Sequence, residues 1–420
     1  MARKGVGMSN LGWTPPQFPE SFMWGTAASS TQCEGAAPAS NWATWEKLGK
    51  APPSRDGSGF WTRYSEDFAL LKQLGLDHHR MSLEWARIEP RPNERDPEAI
   101  KHYSQVLQAA RREGIHVWIC LHHFTLPQWF ENLGGFRNPT ARAEHWVRHV
   151  AFVAEQFGDA AFGWMPINEP MAYTTAAFLF GFFPPGKQGF DSFAEATVAI
   201  FEAWAEASNL LSGTGPVATI HNLSPVIPLG DDSSATDTAR LIDSVSWGVP
   251  IAAFRDGIVA LPGRKPVEIN GVQGSADYFG FSYYNAIGVS AKENGIGLLG
   301  YVTTYPPGSP PGPLGYHPWA DGIAMVFDRL RQELPGTPLL VAENGIGTTD
   351  DGVRAQFLMR SLEIVGRKID EGTPVAGYFH WTSVDNYEWL HGFEVPFGII
   401  SRDRRVKPSA HILRAAAIGH

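Results

Sequence analysis

Apolar and polar positions follow two rhythms that take turns along nearly the whole chain. A short apolar run over 22–30 is followed by Phe60, Tyr64, Phe68, Leu71 and Leu74 at helical spacing, with Gly75 as a stop. The first predicts a strand and the second a helix that buries one face. The pair recurs. A strand is predicted over 79–85, a helix near 96–113 and a third strand over 115–122. Asn138-Pro139 has the form of a helix cap with proline at the first helical position, and Trp146, Val150, Val153 and Phe157 mark the inner face of the helix it opens. A fourth strand is predicted over 162–168. Ser192 and Glu195 form a capping-box pattern ahead of the stripe Ile200, Trp204 and Leu211. Strands near 216–222, 277–283, 338–342 and 375–381 complete a set of eight. Helices near 236–257, 320–333, 351–370 and 408–418 fill the gaps. Such alternation predicts an α/β fold, a single (β/α)8 TIM barrel over residues 17–420 behind an N-terminal tail, 1–16.

Composition narrows the function classes. The chain has 420 residues, 43% hydrophobic and 18% charged, which suits a folded domain. Its net charge of −9 argues against nucleic acid or an anionic membrane surface as partner. No uninterrupted apolar stretch is long enough to span a membrane, and residues 1–16 hold no apolar signal core, so a cytoplasmic location is expected. Cys33 and Cys120 are too few for a disulfide framework and are expected to be reduced. His78-His79 and His122-His123 lie on predicted strands, where neighbours point to opposite faces, so no metal site is expected. Gly295 to Gly300 matches GxGxxG, but a Pro/Gly-rich loop over 305–318 follows it where a dinucleotide site needs a helix. A mobile loop is the better reading, and no cofactor is expected. Fifteen Trp and 25 Phe exceed what core packing asks for, and stacking on sugars is one further use.

In a barrel, chemistry sits where strands end at the C-terminal face. Strand four runs into Asn168-Glu169-Pro170 and strand seven into Ala342-Glu343-Asn344-Gly345. Alone, either acid could cap a helix or sit in a turn. Together they suggest a carboxylate pair across the barrel mouth.

At this point the sequence resembles glycoside hydrolase family 1, the β-glucosidase family, from about Phe18 to Ala410. The resemblance is carried by FPESFMWGTAASSTQCEGA (18–36), HRMSLEWARIEP (79–90), LHHFTLPQW (121–129), PINEP (166–170), GFFPPG (181–186), DYFGFSYY (277–284), VAENG (341–345) and HWTSVDNYEWLHGFEVPFGI (380–399). It implies a retaining β-glycosidase acting on a small-molecule β-glycoside, without cofactor or metal. Glu343 would be the nucleophile and Glu169 the general acid, then base. Retention needs their carboxyl groups roughly 5–5.5 Å apart. An ionised Glu343 would raise the pKa of Glu169. Arg80 and Tyr284 match the residues that hold the nucleophile. Gln32, His123, Asn168 and Glu388 match those that bond the sugar hydroxyls. Trp381 and Trp389 match its stacking and wall residues, and Phe397 a pocket residue.

Four positions depart from the family pattern. Ser282 stands where an Asn near the nucleophile is usual. Pro396 replaces an Arg, and Thr125 an acid. Tyr316 falls where an aglycone platform Trp is frequent. The leading expectation is a β-glucosidase. A β-galactosidase, β-fucosidase or transglycosylase of the same family is the alternative, and a catalytically silent sugar-binding barrel is the reading outside enzymes. Oligomeric state is not readable from the chain.

Overall fold

Eight parallel strands close on themselves in a computed structural model that describes residues 13–290, 302–308 and 311–419. They are β1 (Met23–Ala27), β2 (His78–Ser82), β3 (His116–His122), β4 (Gly163–Ile167), β5 (His221–Asn222), β6 (Phe279–Tyr283), β7 (Leu339–Asn344) and β8 (Val375–Trp381). Their hydrogen-bonded order is β4-β3-β2-β1-β8-β7-β6-β5, and a parallel bridge between Trp164 and Val217 joins the two ends. The (β/α)8 barrel expected from the alternation is therefore the architecture observed. Residues 1–12 of the tail and the Gly295–Gly300 motif lie outside the described residues.

Period-two alternation sorts each strand's side chains into two cores. Met23, Ala27, Trp118, Met165, Leu340, Ala342, Phe379 and Trp381 pack inside the barrel. Trp24, Met81, Val117, Ile119, Leu121, Leu339, Val341 and Tyr378 face the surrounding helices. Both faces are buried, which is why the strands read as continuous apolar runs. The helices keep the predicted inner faces: Trp146, Val150, Val153 and Phe157 are all buried. Helix Pro97–Glu113 starts on Asp96, whose carboxylate accepts from the Glu98 and Ala99 amides, and stops at Gly114 in the left-handed region. The Asn138 cap forms as expected, accepting from the Thr140 and Ala141 amides.

The structure corrects several expectations. The strand predicted over 79–85 ends at Ser82, because Glu84 turns its side chain onto the Ala86 amide and opens a short helix, Trp85–Ile88. The capping box at Ser192 does not form. The helix begins at Phe190, where Gly189 at φ 115° lets the chain turn in three residues earlier. The helix expected near 236–257 is found over 233–256, with a widened turn at Ser244–Gly248 between Ser233–Asp243 and Val249–Asp256. Cys33 lies in a short helix, Ser30–Glu34, after β1. A three-stranded side sheet, Val226–Pro228, Ala286–Val289 and Val302–Tyr305, was not anticipated.

Candidate active site

The strands carry their acids to one end of the barrel. Glu343 is the penultimate residue of β7 and is 3% exposed. Arg80, wholly buried inside β2, donates through Nη2 to Glu343 Oε1, and Tyr284, just past β6, donates through its hydroxyl to Oε2. The second Arg80 nitrogen, Nη1, donates to Asn168 Oδ1 at 2.7 Å. One guanidinium thus fixes a carboxylate on β7 and an amide at the end of β4 relative to each other. Gly345 permits the close packing of this corner. A Cβ there would lie 2.1 Å from the Trp381 carbonyl oxygen on β8.

Glu169 sits two residues past β4 with φ 40° and ψ 64°, a left-handed conformation rare for a residue with a side chain. Pro170 follows at the first position of helix Pro170–Thr174, and the Glu169 amide donates to Ile220 O at 3.0 Å. Its Oε1 accepts from Ser282 Oγ on β6 and from Asn222 Nδ2 on β5 at 3.4 Å. Ser282 is also the register neighbour of Glu343 across β6 and β7, so the two acids lie on either side of one strand end. Burial first, and the Glu343 carboxylate second, push the Glu169 carboxyl up to about 8. The sequence reading credited the neighbouring charge; desolvation is the larger cause.

The expected sugar residues gather at the same mouth. Gln32 is wholly buried; its Oε1 accepts from Ser29 Oγ at 2.8 Å, and its Nε2 donates to Glu388 Oε2 at 3.1 Å. Burial, then Glu343 and Glu169, push the Glu388 carboxyl up to about 8. His123 is held well below its ordinary range by burial and by Arg80. Its Nε2 lies 3.4 Å from Asn168 Nδ2, and its Nδ1 has no partner among the described residues. The His123 ring is nearly parallel to Trp381 (5.7 Å, 15°) and to Trp389 (6.0 Å, 16°). Trp381 also lies 5.5 Å from the Arg80 guanidinium. Phe397 meets Tyr284 edge-on at 6.0 Å. All eleven residues singled out from the sequence therefore belong to one constellation.

The departures acquire partners. Ser282 touches Glu169, not Glu343, so the change alters the acid flanking β4 and leaves both contacts to Glu343 in place. Thr125 Oγ1 donates to Glu84 Oε2 at 2.9 Å, and Ser30 Oγ to the same oxygen at 2.7 Å. The Pro396 carbonyl accepts from Arg354 Nη2 at 2.8 Å and from the Thr348 amide at 3.0 Å, which pins the loop carrying Phe397 without an arginine at 396. The Tyr316 phenol is pushed above its ordinary range by burial and by Glu388. Asn222 and Arg354 escaped the sequence reading. The polar His221-Asn222 pair closing an apolar run was the one available signal for Asn222. Among the described residues no group of three or more metal-ligating side chains forms, and no helix is long and apolar enough to cross a membrane.

The family model for Glycosyl hydrolase family 1 matches residues 14–417. A β-galactosidase of Sulfolobus acidocaldarius is 28% identical, over 94% of this chain and 94% of its own. β-Glucosidase A of Thermotoga maritima is 23% identical, over 92% of this chain and 93% of its own. The solved structure of a β-glycosidase from Pyrococcus horikoshii superposes with a TM-score of 0.87 at 29% identity, covering 96% of this chain and 95% of that one.

Proposed function

The chain belongs to glycosyl hydrolase family 1, and from that membership and the site geometry we propose that it is a retaining β-glycosidase releasing the terminal non-reducing β-D-glucosyl residue of small β-glucosides. The carrying observation is that the two acids are held differently. Glu343 has a donor on each oxygen, Arg80 and Tyr284, as suits a carboxylate positioned for attack. Glu169 is protonated at neutral pH and accepts at Oε1, so its proton belongs on Oε2.

The chemistry then runs in two displacements. A Glu343 oxygen attacks the anomeric carbon as the glycosidic C–O bond breaks. The Glu169 proton moves to the departing oxygen, and the aglycone leaves as an alcohol. Esterification removes the Glu343 charge, one of the causes that raise Glu169, so Glu169 becomes a readier base. It takes a proton from water as that water's oxygen attacks the anomeric carbon. The ester bond to Glu343 breaks, and the sugar leaves with its configuration retained. Asn168, fixed by Arg80, is placed for the 2-hydroxyl, where hydrogen bonds strengthen at the transition state. Gln32, His123 and Glu388 take further hydroxyls, and Trp381 offers an aromatic face.

A galactosyl preference is the second reading, favoured by the likeness to the Sulfolobus β-galactosidase. A panel of 4-nitrophenyl β-glucoside, β-galactoside, β-fucoside and α-glucoside decides between them, with the product anomer followed by NMR. The proposal expects the β-glucoside to give the highest kcat/KM and β-glucose as first product. Turnover of the α-glucoside, or an α first product, contradicts the retaining β mechanism. A faster β-galactoside overturns the glucose assignment alone.

A further inference from the structure

Next to Asn222, which bonds the acid, lies a cavity of about 570 Å³, within the range of small-molecule sites. One wall is the chain that leaves Glu169: Met171 and Ala176, then Phe180 and Phe182, whose rings stack at 5.5 Å. The other wall comes from the helical segment after β5, with Leu241 and Val245. Of its 16 lining residues only Thr175, Asn222 and Ser246 have polar side chains, and none is charged. Phe182 and Leu241 remain 52% and 39% exposed, large apolar groups left in water at the rim. Solvated apolar surface gathered around a concavity marks a ligand groove. Asn222 ties this groove to the chemistry. It lines the cavity and its Nδ2 donates to Glu169 Oε1. An aglycone released at Glu169 would therefore find this cavity one side chain away, behind Asn222.

We infer that this cavity binds the leaving group, and that the enzyme takes aglycones that are hydrocarbon alcohols of roughly eight to twelve carbons rather than a second sugar. The inference rests on the glycosidase reading above. A sugar in the groove would find three polar side chains for its ring of hydroxyls and would lose water at the rest. A hydrocarbon chain loses nothing there and removes Phe182 and Leu241 from solvent.

The test is kcat/KM for methyl, butyl, hexyl and octyl β-glucosides below their micelle concentrations, with cellobiose and 4-nitrophenyl β-glucoside alongside. The galactoside series replaces it if that glycone is preferred. Each added methylene should raise kcat/KM roughly twofold to threefold, making octyl about tenfold or more better than butyl and better than cellobiose. Leu241→Asp and Phe182→Asp alter exposed side chains, and each should cut the octyl-to-methyl ratio tenfold or more. Because the readout is a ratio within one variant, general damage to the enzyme cancels. A flat alkyl series with normal nitrophenyl turnover overturns this inference and leaves the glycosidase reading standing. So does cellobiose outrunning octyl, or a ratio within twofold of wild type in both variants. Failure to turn over any glycoside overturns both.

Discussion

Two influences meet at the carboxyl of Glu169. Burial and Glu343 raise it to about 8, while hydrogen bonds from Ser282 and Asn222 lower it. A group raised in this way holds its proton below that pH and loses it above. The acid step therefore fails as pH rises, and kcat/KM should fall off above about pH 8. Ser282→Ala removes a lowering contact, so the basic limb should move upward. A limb that stays put, or moves down, denies Ser282 this role. The pH dependence of kcat/KM in the two proteins decides it. At Glu388 a carboxyl bonded to Gln32 occupies the place where a sugar's 4- and 6-hydroxyls are expected. A 6-phosphate dianion would lose its water in this largely desolvated pocket, with no Lys or Arg in the loop 386–394 to pair with it. 4-Nitrophenyl β-glucoside should exceed its 6-phosphate in kcat/KM by roughly a hundredfold or more, about 2.7 kcal/mol. Parity would place Glu388 elsewhere.

At the scale of elements, the end of β7 is held against β8. The Gly345 hydrogen faces the Trp381 carbonyl, and a methyl group would sit 2.1 Å from that oxygen. Gly345→Ala must push β7 away and take Glu343 out of reach of Arg80 and Tyr284. A loss of roughly 1–3 kcal/mol in stability and a fall in kcat of tenfold or more are expected. Thermal unfolding and kcat measured on the one variant check this, and unchanged values in both would show that the corner yields freely. The same corner shows what a chain reveals of itself. Glu343 and Glu169 were legible because each closes an apolar run at the C-terminal end of a strand, where a barrel keeps its chemistry. Helix Asp351–Asp370 was legible in place, and Asp350 caps its start. Strand β5 was legible in place, near 216–222, but not in form. Its ladder breaks where Thr219 Oγ1 bonds both the amide and the carbonyl of Gly280, at 2.9 Å each. A side chain there replaces the backbone pairing, leaving two residues as regular strand. The capping box at Ser192 misled because a fitting pattern says nothing of a glycine turning the chain in earlier.

Across the whole molecule, closure of the barrel buries both thiols. Cys33 and Cys120 are free, and burial pushes them up to about 12 and about 11. Neither is an available nucleophile at neutral pH, and the chain is long enough to bury a core without staples. A thiol reagent at pH 8 should find no reactive cysteine in the native enzyme and two after denaturation without reductant. A count of zero after denaturation would mean a disulfide. Every strand end brings one or more groups to the mouth, and the division of labour between the two acids is what the barrel is closed to achieve. The measurement that reaches this directly is turnover of 4-nitrophenyl β-glucoside by Glu343→Ala, with and without azide. The account predicts a loss of about four orders of magnitude, roughly 5.5 kcal/mol of barrier, and partial recovery with azide to give the α-glucosyl azide, because the small anion enters the vacated space from the nucleophile's side. Near-normal turnover by the alanine variant would contradict it.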